Sequence, residues 1–337
     1  MRTGFLGSVL AAGAMALATP AWANDGAQEF ESSFDSTLGT EVRSPKSFDA
    51  VYDTALERRI AELADGSQGR IGVAAIDLSS GQLVSILGDQ RFPMASTSKI
   101  AIAATFLEGV EQGRWSLTSE FPLLLPRRST RFSSRVAPVY EGEYMKAIDL
   151  IEIMITRSSN PATDALLRVV GGPEKVNDWV RRQGIKEFSL DRDIATLVRD
   201  DGEFNPANHI DLRDSATPKA MVQLLRGFYQ GKFLNDDSRR VLLGAMSRTR
   251  TGKRRIPALM PAGVRVSHKT GSLNNTSSDI GILETADGRA VAVAIYVTGQ
   301  GTRLDREAKI AQIARALHDG YAAQNKRNWA TADYGGN

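Results

Sequence analysis

Ser96 and Lys99 are the first residues in the chain whose types and spacing could do chemistry. They lie in Met94 to Thr105 (MASTSKIAIAAT), at the mouth of an otherwise apolar run. Three apart on a helix, they share a face and can touch. Ser96 would occupy the first turn, where free backbone N–H groups and the positive end of the helix dipole favour developing negative charge. Lys99 could serve as the serine's base only when partly neutral, and burial or nearby positive charge pushes a lysine that way. The competing reading is structural: Ser96 or Thr97 caps the helix and Lys99 faces water. Ser-x-x-Lys is expected about once by chance in a chain of this size, so the pair alone decides nothing.

Two further clusters bear on the choice. Ser158-Ser159-Asn160 follows a second apolar helix, although Asn160-Pro161 would also suit a helix cap and first turn. Lys269-Thr270-Gly271 lies on an expected strand and continues to Ser272. Strand alternation puts Lys269 and Gly271 on one face and Thr270 on the other; an ordinary edge-strand lysine is the alternative. Rival chemistries fail on inventory. The chain has no cysteine and 3 histidines, His209, His268 and His318, and no Gly-x-Ser-x-Gly turn. Thiol catalysis and thiolate metal sites are excluded, and a Ser-His-Asp enzyme or a zinc hydrolase is not supported. His268 should face away from the Lys269 site.

The elements that must position these clusters follow from periodicity. The chain of 337 residues has ordinary apolar content. Residues 1–23 read as a signal peptide: Arg2, an apolar stretch from Phe5 to Ala18, then Ala21-Trp22-Ala23 as the cleavage site. Export to the periplasm is expected, without stable membrane insertion. Residues 24–46 read as a flexible linker. A helix through Val51, Leu56, Ile60 and Leu63, with Ser47 placed to cap it, precedes a hairpin of strands 70–78 and 83–87. Helices are expected at 100–110, 147–156, 161–170, 173–183, 218–231, 238–246 and 305–323, and strands at 264–270, 279–284 and 290–297. The Pro-, Arg- and Ser-rich segment before Gly142 carries no element, and 190–217 reads as a long irregular loop of the kind that is usually functional or disordered. A frayed tail is expected at 326–337. The fold class is α/β (α+β) with two lobes: a five-stranded antiparallel sheet built from both ends of the chain and flanked by helices, and an inserted all-helical lobe. The sheet lobe takes about 47–90 and 218–325, the helical lobe about 91–217. A small-molecule site belongs in the cleft between them. With a net charge of +3, the basic runs Arg127-Arg128 and Lys253-Arg254-Arg255 read as solvated surface, and nucleic acid is not expected as a partner.

Ser96-x-x-Lys99, Ser158-x-Asn160 and Lys269-Thr270-Gly271, in this order, resemble the three active-site motifs of the penicillin-recognising serine enzymes. The intervals are closest to class A β-lactamases and their DD-peptidase relatives. Ser159 stands where the family normally has Asp. Leu190-Asp191-Arg192 resembles the opening of the family's Ω loop, and Arg213-Asp214 with Thr217-Pro218 its close. Thr251-Gly252 followed by Arg255-Ile256 resembles a segment that supplies a carboxylate-binding arginine, and Ser278 sits where many members keep another. The resemblance covers roughly residues 50–323. It implies that Ser96 is the acylated nucleophile and Lys99 its base, directly or through water. Ser158 would relay a proton to the leaving nitrogen, with Lys269 nearby, and Asn160 would hold the substrate's side-chain amide. Lys269, Thr270 and Arg255 would hold its carboxylate on the strand that carries Gly271, with the N–H groups of Ser96 and Ser272 as the oxyanion hole. No cofactor or metal is implied. A monomer acting on a β-lactam or a D-Ala-D-Ala peptide is.

The resemblance breaks in the Ω loop. Family members carry Glu-x-x-Leu-Asn right after Leu-Asp-Arg, and the glutamate activates the water that hydrolyses the acyl-enzyme. Here Asp193-Ile194-Ala195 follows Arg192. Counting back from Arg213-Asp214 puts Asn205 on the water-holding asparagine and Asp201 on the missing glutamate, with Glu203 as the fallback; the competing reading of both acids is as solvated loop residues. The expectation is a serine β-lactamase that acylates at Ser96 and deacylates with Asp201 or Glu203, slowly if the displaced acid is a poorer base than the family's glutamate. The alternatives are a D-alanyl-D-alanine carboxypeptidase or a non-hydrolytic sensor of β-lactams or peptidoglycan fragments.

Overall fold

The computed structural model describes residues 54–332, with side chains as far as residue 323. The expected signal peptide, the linker, and the positions of Ser47 and Val51 lie outside the described residues.

Helix α1 (Ala55–Leu63) opens with a capping box, in which Thr54 accepts from the Glu57 amide and Glu57 reaches back to the Thr54 amide. The hairpin β1 (Gly69–Asp77) and β2 (Leu83–Ile86) follows, then a short β3 (Phe92–Pro93) and a single 3₁₀ turn, Ala95–Ser98, which leads directly into α2 (Lys99–Glu111). Strands β4 (Glu120–Pro126) and β5 (Val139–Lys146) form a hairpin. Helices α3 (Ala147–Thr156), α4 (Asn160–Val170) and α5 (Pro173–Arg182) complete the helical lobe. The segment after it holds β6 (Phe188–Ser189), α6 (Ile194–Arg199) and β7 (Ser215–Ala216). The chain returns through α7 (Pro218–Tyr229), α8 (Asp236–Ser247), β8 (Arg265–Leu273), β9 (Thr276–Glu284), β10 (Ala290–Gly299) and α9 (Arg303–Ala332).

The main sheet has the order β2-β1-β10-β9-β8, antiparallel throughout, so the first and last strands of the chain meet at its centre as expected. Its side chains divide by the period of two. Ile71, Val73, Val293 and Ile295 pack with Leu56, Ile60, Ile313 and Leu317 of α1 and α9. Ala74, Ala292, Ala294 and Tyr296 join the other core, with Ile100, Phe106, Leu150 and Leu166 of the helical lobe. Helix α2 runs through that second core with Ile100 to Leu107 all buried, which explains its all-round apolar composition.

Three expectations need correction. The β4–β5 hairpin occupies a stretch expected to carry no element. β5 buries none of its residues fully, so it has no apolar alternation to read. The segment 190–217 is partly regular: it contains β7, which joins β3 and β6 in a small sheet, and α6, which starts at Ile194 behind the cap Asp193. Finally, α9 continues to Ala332, past the expected start of a frayed tail.

Candidate active site

The 3₁₀ turn that bears Ser96 settles the capping question. Neither this turn nor α2 has a side-chain cap. Thr97 Oγ1 instead donates to Met94 O at 2.7 Å, and Ser98 Oγ donates to Ala95 O at 2.9 Å. These two hydroxyls fold back into the turn, while half-buried Ser96 makes no side-chain hydrogen bond among the described residues. Ala95, just before it, sits in the left-handed region at φ +48°, a conformation costly for a residue with a Cβ and common where a site is held under strain. Ser158, at φ +59°, is a second such residue.

Lys99 does not face water. Its side chain is fully buried, and Nζ donates to Ser158 O at 2.8 Å, Asn160 Oδ1 at 2.7 Å and Ser158 Oγ at 3.3 Å. Lys269, also fully buried, approaches Ser158 from the sheet side. Its Nζ lies 3.0 Å from Ser158 Oγ and 2.9 Å from Thr270 O. Two buried lysines therefore converge on one half-buried hydroxyl. Burial lowers the Lys99 pKa well below its ordinary value, and the charge of Lys269 lowers it further, against the pull of Asp164. Burial also pushes Lys269 down to about 7, with Asp279 opposing and Arg255 adding to the shift. Two ammonium groups cannot both persist around one serine without large Coulomb cost.

Each partner is placed by a local rule. Asn160 is free to bind Lys99 because Ser159, not Asn160, caps α4: Ser159 Oγ accepts from the Ala162 amide, and Pro161 follows in the first turn. Because Asn160 Oδ1 accepts from Lys99, its Nδ2 donors remain for a ligand. Gly271 is required where β8 crosses the nucleophile's turn; a Cβ there would sit 2.7 Å from Met94 O and 2.5 Å from Ser278 Oγ. Thr270 Oγ1 meets Thr251 Oγ1 at 2.7 Å. Arg255 is buried beneath β8, where Nη1 donates to Gly271 O and Ser278 O, and Nη2 to Ser272 Oγ, all at 2.7 Å; it is also ion-paired with Glu307. It orients Ser272 from behind. His268 faces away, against Asp279 at 2.9 Å, as alternation required.

The segment opposite begins and ends at one knot. Asp214 Oδ1 accepts from the Asp191 and Arg192 amides, Asp214 Oδ2 pairs with Arg192 Nε at 2.6 Å, and Asp191 Oδ2 accepts from the Asp214 amide. Asp193 then caps α6 by accepting from Thr196 N. Asp164, on α4, accepts from the Ile194 and Ala195 amides at 2.7 and 2.9 Å, and burial raises its carboxyl to about 7. Beyond α6 the chain swings to the β8–β9 turn. Asp201 Oδ2 accepts from Asn274 N at 2.8 Å, and Asn205 Oδ1 from Asn275 Nδ2 at 2.9 Å. Buried Arg70 of β1 donates to Pro206 O at 2.9 Å. Glu203 pairs with Arg213 at 2.7 Å.

Residues 55–321 match the model of the Beta-lactamase enzyme family. The chain belongs to that family. It is 32% identical to the β-lactamase SME-1 of Serratia marcescens over 247 residues, 72% of this chain and 81% of that protein. It is 32% identical to the β-lactamase CTX-M-25 of Escherichia coli over 269 residues, 79% and 89% of the two. Among solved structures, a β-lactamase from Chitinophaga pinensis superimposes with a TM-score of 0.70 at 27% identity, covering 80% of this chain and 100% of that one. An ancestral class A enzyme does so at 0.66 and 34% identity. The chain is a class A-type serine hydrolase acting on β-lactams.

The structure joins Lys99, Ser158, Asn160 and Lys269 in one hydrogen-bonded group and packs Gly271 against the turn that bears Ser96, while Thr270 Oγ1 turns to Thr251 and Ser272 Oγ to Arg255. It does not bring Asp201, Glu203 or Asn205 into that group's hydrogen bonds; their partners are Asn274, Arg213 and Asn275. Arg255 contacts the group through Ser272 and does not present free donors to a ligand. Sequence reasoning missed Asp164. Its one legible signal was an acid on the apolar face of α4, four residues after Asn160.

Proposed function

We propose that the chain opens β-lactams through an ester at Ser96, formed readily and hydrolysed slowly. The convergence of two buried lysines on Ser158 carries this reading. A neutral Lys99 takes the Ser96 proton, directly or through a water, as Ser96 Oγ attacks the lactam carbonyl. The backbone N–H groups of Ser96 and Ser272 receive the developing oxyanion, each contributing roughly 3 kcal/mol. As the C–N bond breaks, Ser158 passes its proton to the leaving nitrogen and regains one from the lysine pair. Charged Lys269 and the Thr270 hydroxyl hold the substrate carboxylate, Arg255 positions Ser272, and Asn160 Nδ2 donates to the side-chain amide.

Slow release follows from the opposite wall. Helix α6, which follows the Leu190-Asp191-Arg192 opening, gives the Ile194 and Ala195 amides to Asp164, and Asp201 and Glu203 are engaged elsewhere. The first 23 residues support the further proposal of a periplasmic enzyme.

Intact mass after mixing with benzylpenicillin, sampled over time, tests the reading. An adduct that forms and then clears with release of the opened product is expected. A permanent adduct, with release of D-alanine from a D-Ala-D-Ala peptide, would make it a carboxypeptidase; a permanent adduct without it, a sensor. No adduct at any time would overturn acylation.

A further inference from the structure

The acyl side chain of a bound β-lactam must leave the cleft past Asn160, and two exits adjoin it. One runs between the Ω segment and the end of β8. It is bridged by the Asp201–Asn274 and Asn205–Asn275 hydrogen bonds, and Arg131 approaches Gly202 and Asn274 from the helical lobe. The other is a groove of about 400 Å³ between β4 and α6 that begins at Asn160 and Pro161. Its floor includes the buried Leu124 and Ile194, and its rim carries exposed Val198 with Arg127 and Arg128.

The charges of this groove are unbalanced. Arg199 is neutralised by Asp200 in a nearly buried pair, and Asp164, which also lines the groove, gives both oxygens to backbone amides. Arg127 lies over the Tyr140 ring, 5.5 Å from its centre, which leaves its N–H edges open. Both rim arginines are exposed, and neither forms an ion pair among the described residues.

We propose that this groove is a subsite for β-lactams whose acyl side chain carries a carboxylate, which Arg127 and Arg128 bind at its rim. An apolar trough ending in two guanidinium groups suits an aryl or alkyl side chain with a terminal or benzylic carboxylate. A neutral side chain fills the trough and leaves the arginines in water; a cationic one is repelled. The proposal rests on the assignment of Ser96 and Asn160 above.

The test compares carbenicillin with benzylpenicillin, which differ by one side-chain carboxylate. Second-order acylation rates are measured by intact mass for the natural protein, for Arg127→Gln/Arg128→Gln, and for Arg128→Glu. The ratio of the two rates cancels any loss the substitutions cause to both. The ratio is expected to favour carbenicillin by roughly fivefold in low salt and to shrink as salt is added. It should fall to about one in the double variant and below one in Arg128→Glu. A ratio unchanged by these substitutions, or already at one in the natural protein, overturns the subsite. If neither penicillin forms an adduct, the acylation reading has failed instead. Equilibrium dialysis of the same two compounds against the same three proteins then decides the groove on its own, by the same ratio of affinities.

Discussion

The nucleophile cluster and the Ω segment face each other across one cleft and are built in opposite ways. Around Ser158, every position sits on or next to a regular element, and the polar groups bond one another: buried Lys99 on α2 and Lys269 on β8, half-buried Asn160 on α4. A change at one leaves its neighbours buried without a partner, which is costly. The Ω segment is pinned only at its ends and along α6. Arg192 and Asp214 close its base, Asp164 holds two amides, and the stretch after α6 rests on contacts at the β8–β9 turn that are partly exposed. The cluster therefore tolerates one residue set, whereas the segment can accept insertions while its knot holds. An acid can then stand near the right sequence position and still point elsewhere.

Removing the centre of the cluster has the largest expected effect. Ser96→Ala should eliminate the covalent penicillin adduct in intact mass, and persistent labelling would mean a different nucleophile. The next effect is on pH dependence. Lys269 titrates near 7 in the folded protein against an ordinary 10.5. It is charged below 7, so acylation by a carboxylate-bearing substrate should fall by up to about tenfold per pH unit as pH rises past 7. Lys269→Arg should erase that limb, because a guanidinium stays charged; an unchanged profile would assign the limb to another group. The same depressed pKa links to stability. The unfolded chain keeps the Lys269 proton up to about 10.5, so this group's contribution is full above that value and is lost as pH falls through about 7.

Two smaller effects probe the opposite wall. Arg192→Ala leaves the buried Asp214 without its ion-pair partner and should cost about 3 kcal/mol in denaturant unfolding. Its acylation rate should change less than about threefold if the two regions are separately built. A collapse of acylation would show that the knot also shapes the cluster. Smallest is the effect of Asp201→Asn and Glu203→Gln, each expected to change the decay of the acyl-enzyme by less than about twofold, within the range of ordinary surface substitutions. A tenfold slower decay in either would mean that the segment turns inward in the working enzyme.

Much of this molecule is legible from its residues alone. Short continuous apolar runs at 71–76 and 290–297 and the longer one from Ile100 mark elements buried on all sides, which leave no solvent face to alternate with. The absence of cysteine and the scarcity of histidine remove rival chemistries. Three short motifs in order carry the family because a buried lysine, a hydroxyl and a strand edge need those residue types together. The half-exposed β5 and the inserted Ω residues could not be read, since neither has an apolar face to impose a pattern. Only the tertiary structure decided that Ser159 rather than Asn160 caps α4, that Asp164 carries the amides of α6, and that Asp201 turns to Asn274. It also decided that Lys99 and Lys269 share one hydroxyl. These are contacts between residues distant in sequence or choices between adjacent residues of like chemistry. Their outcome depends on which partner the folded chain brings within hydrogen-bond reach.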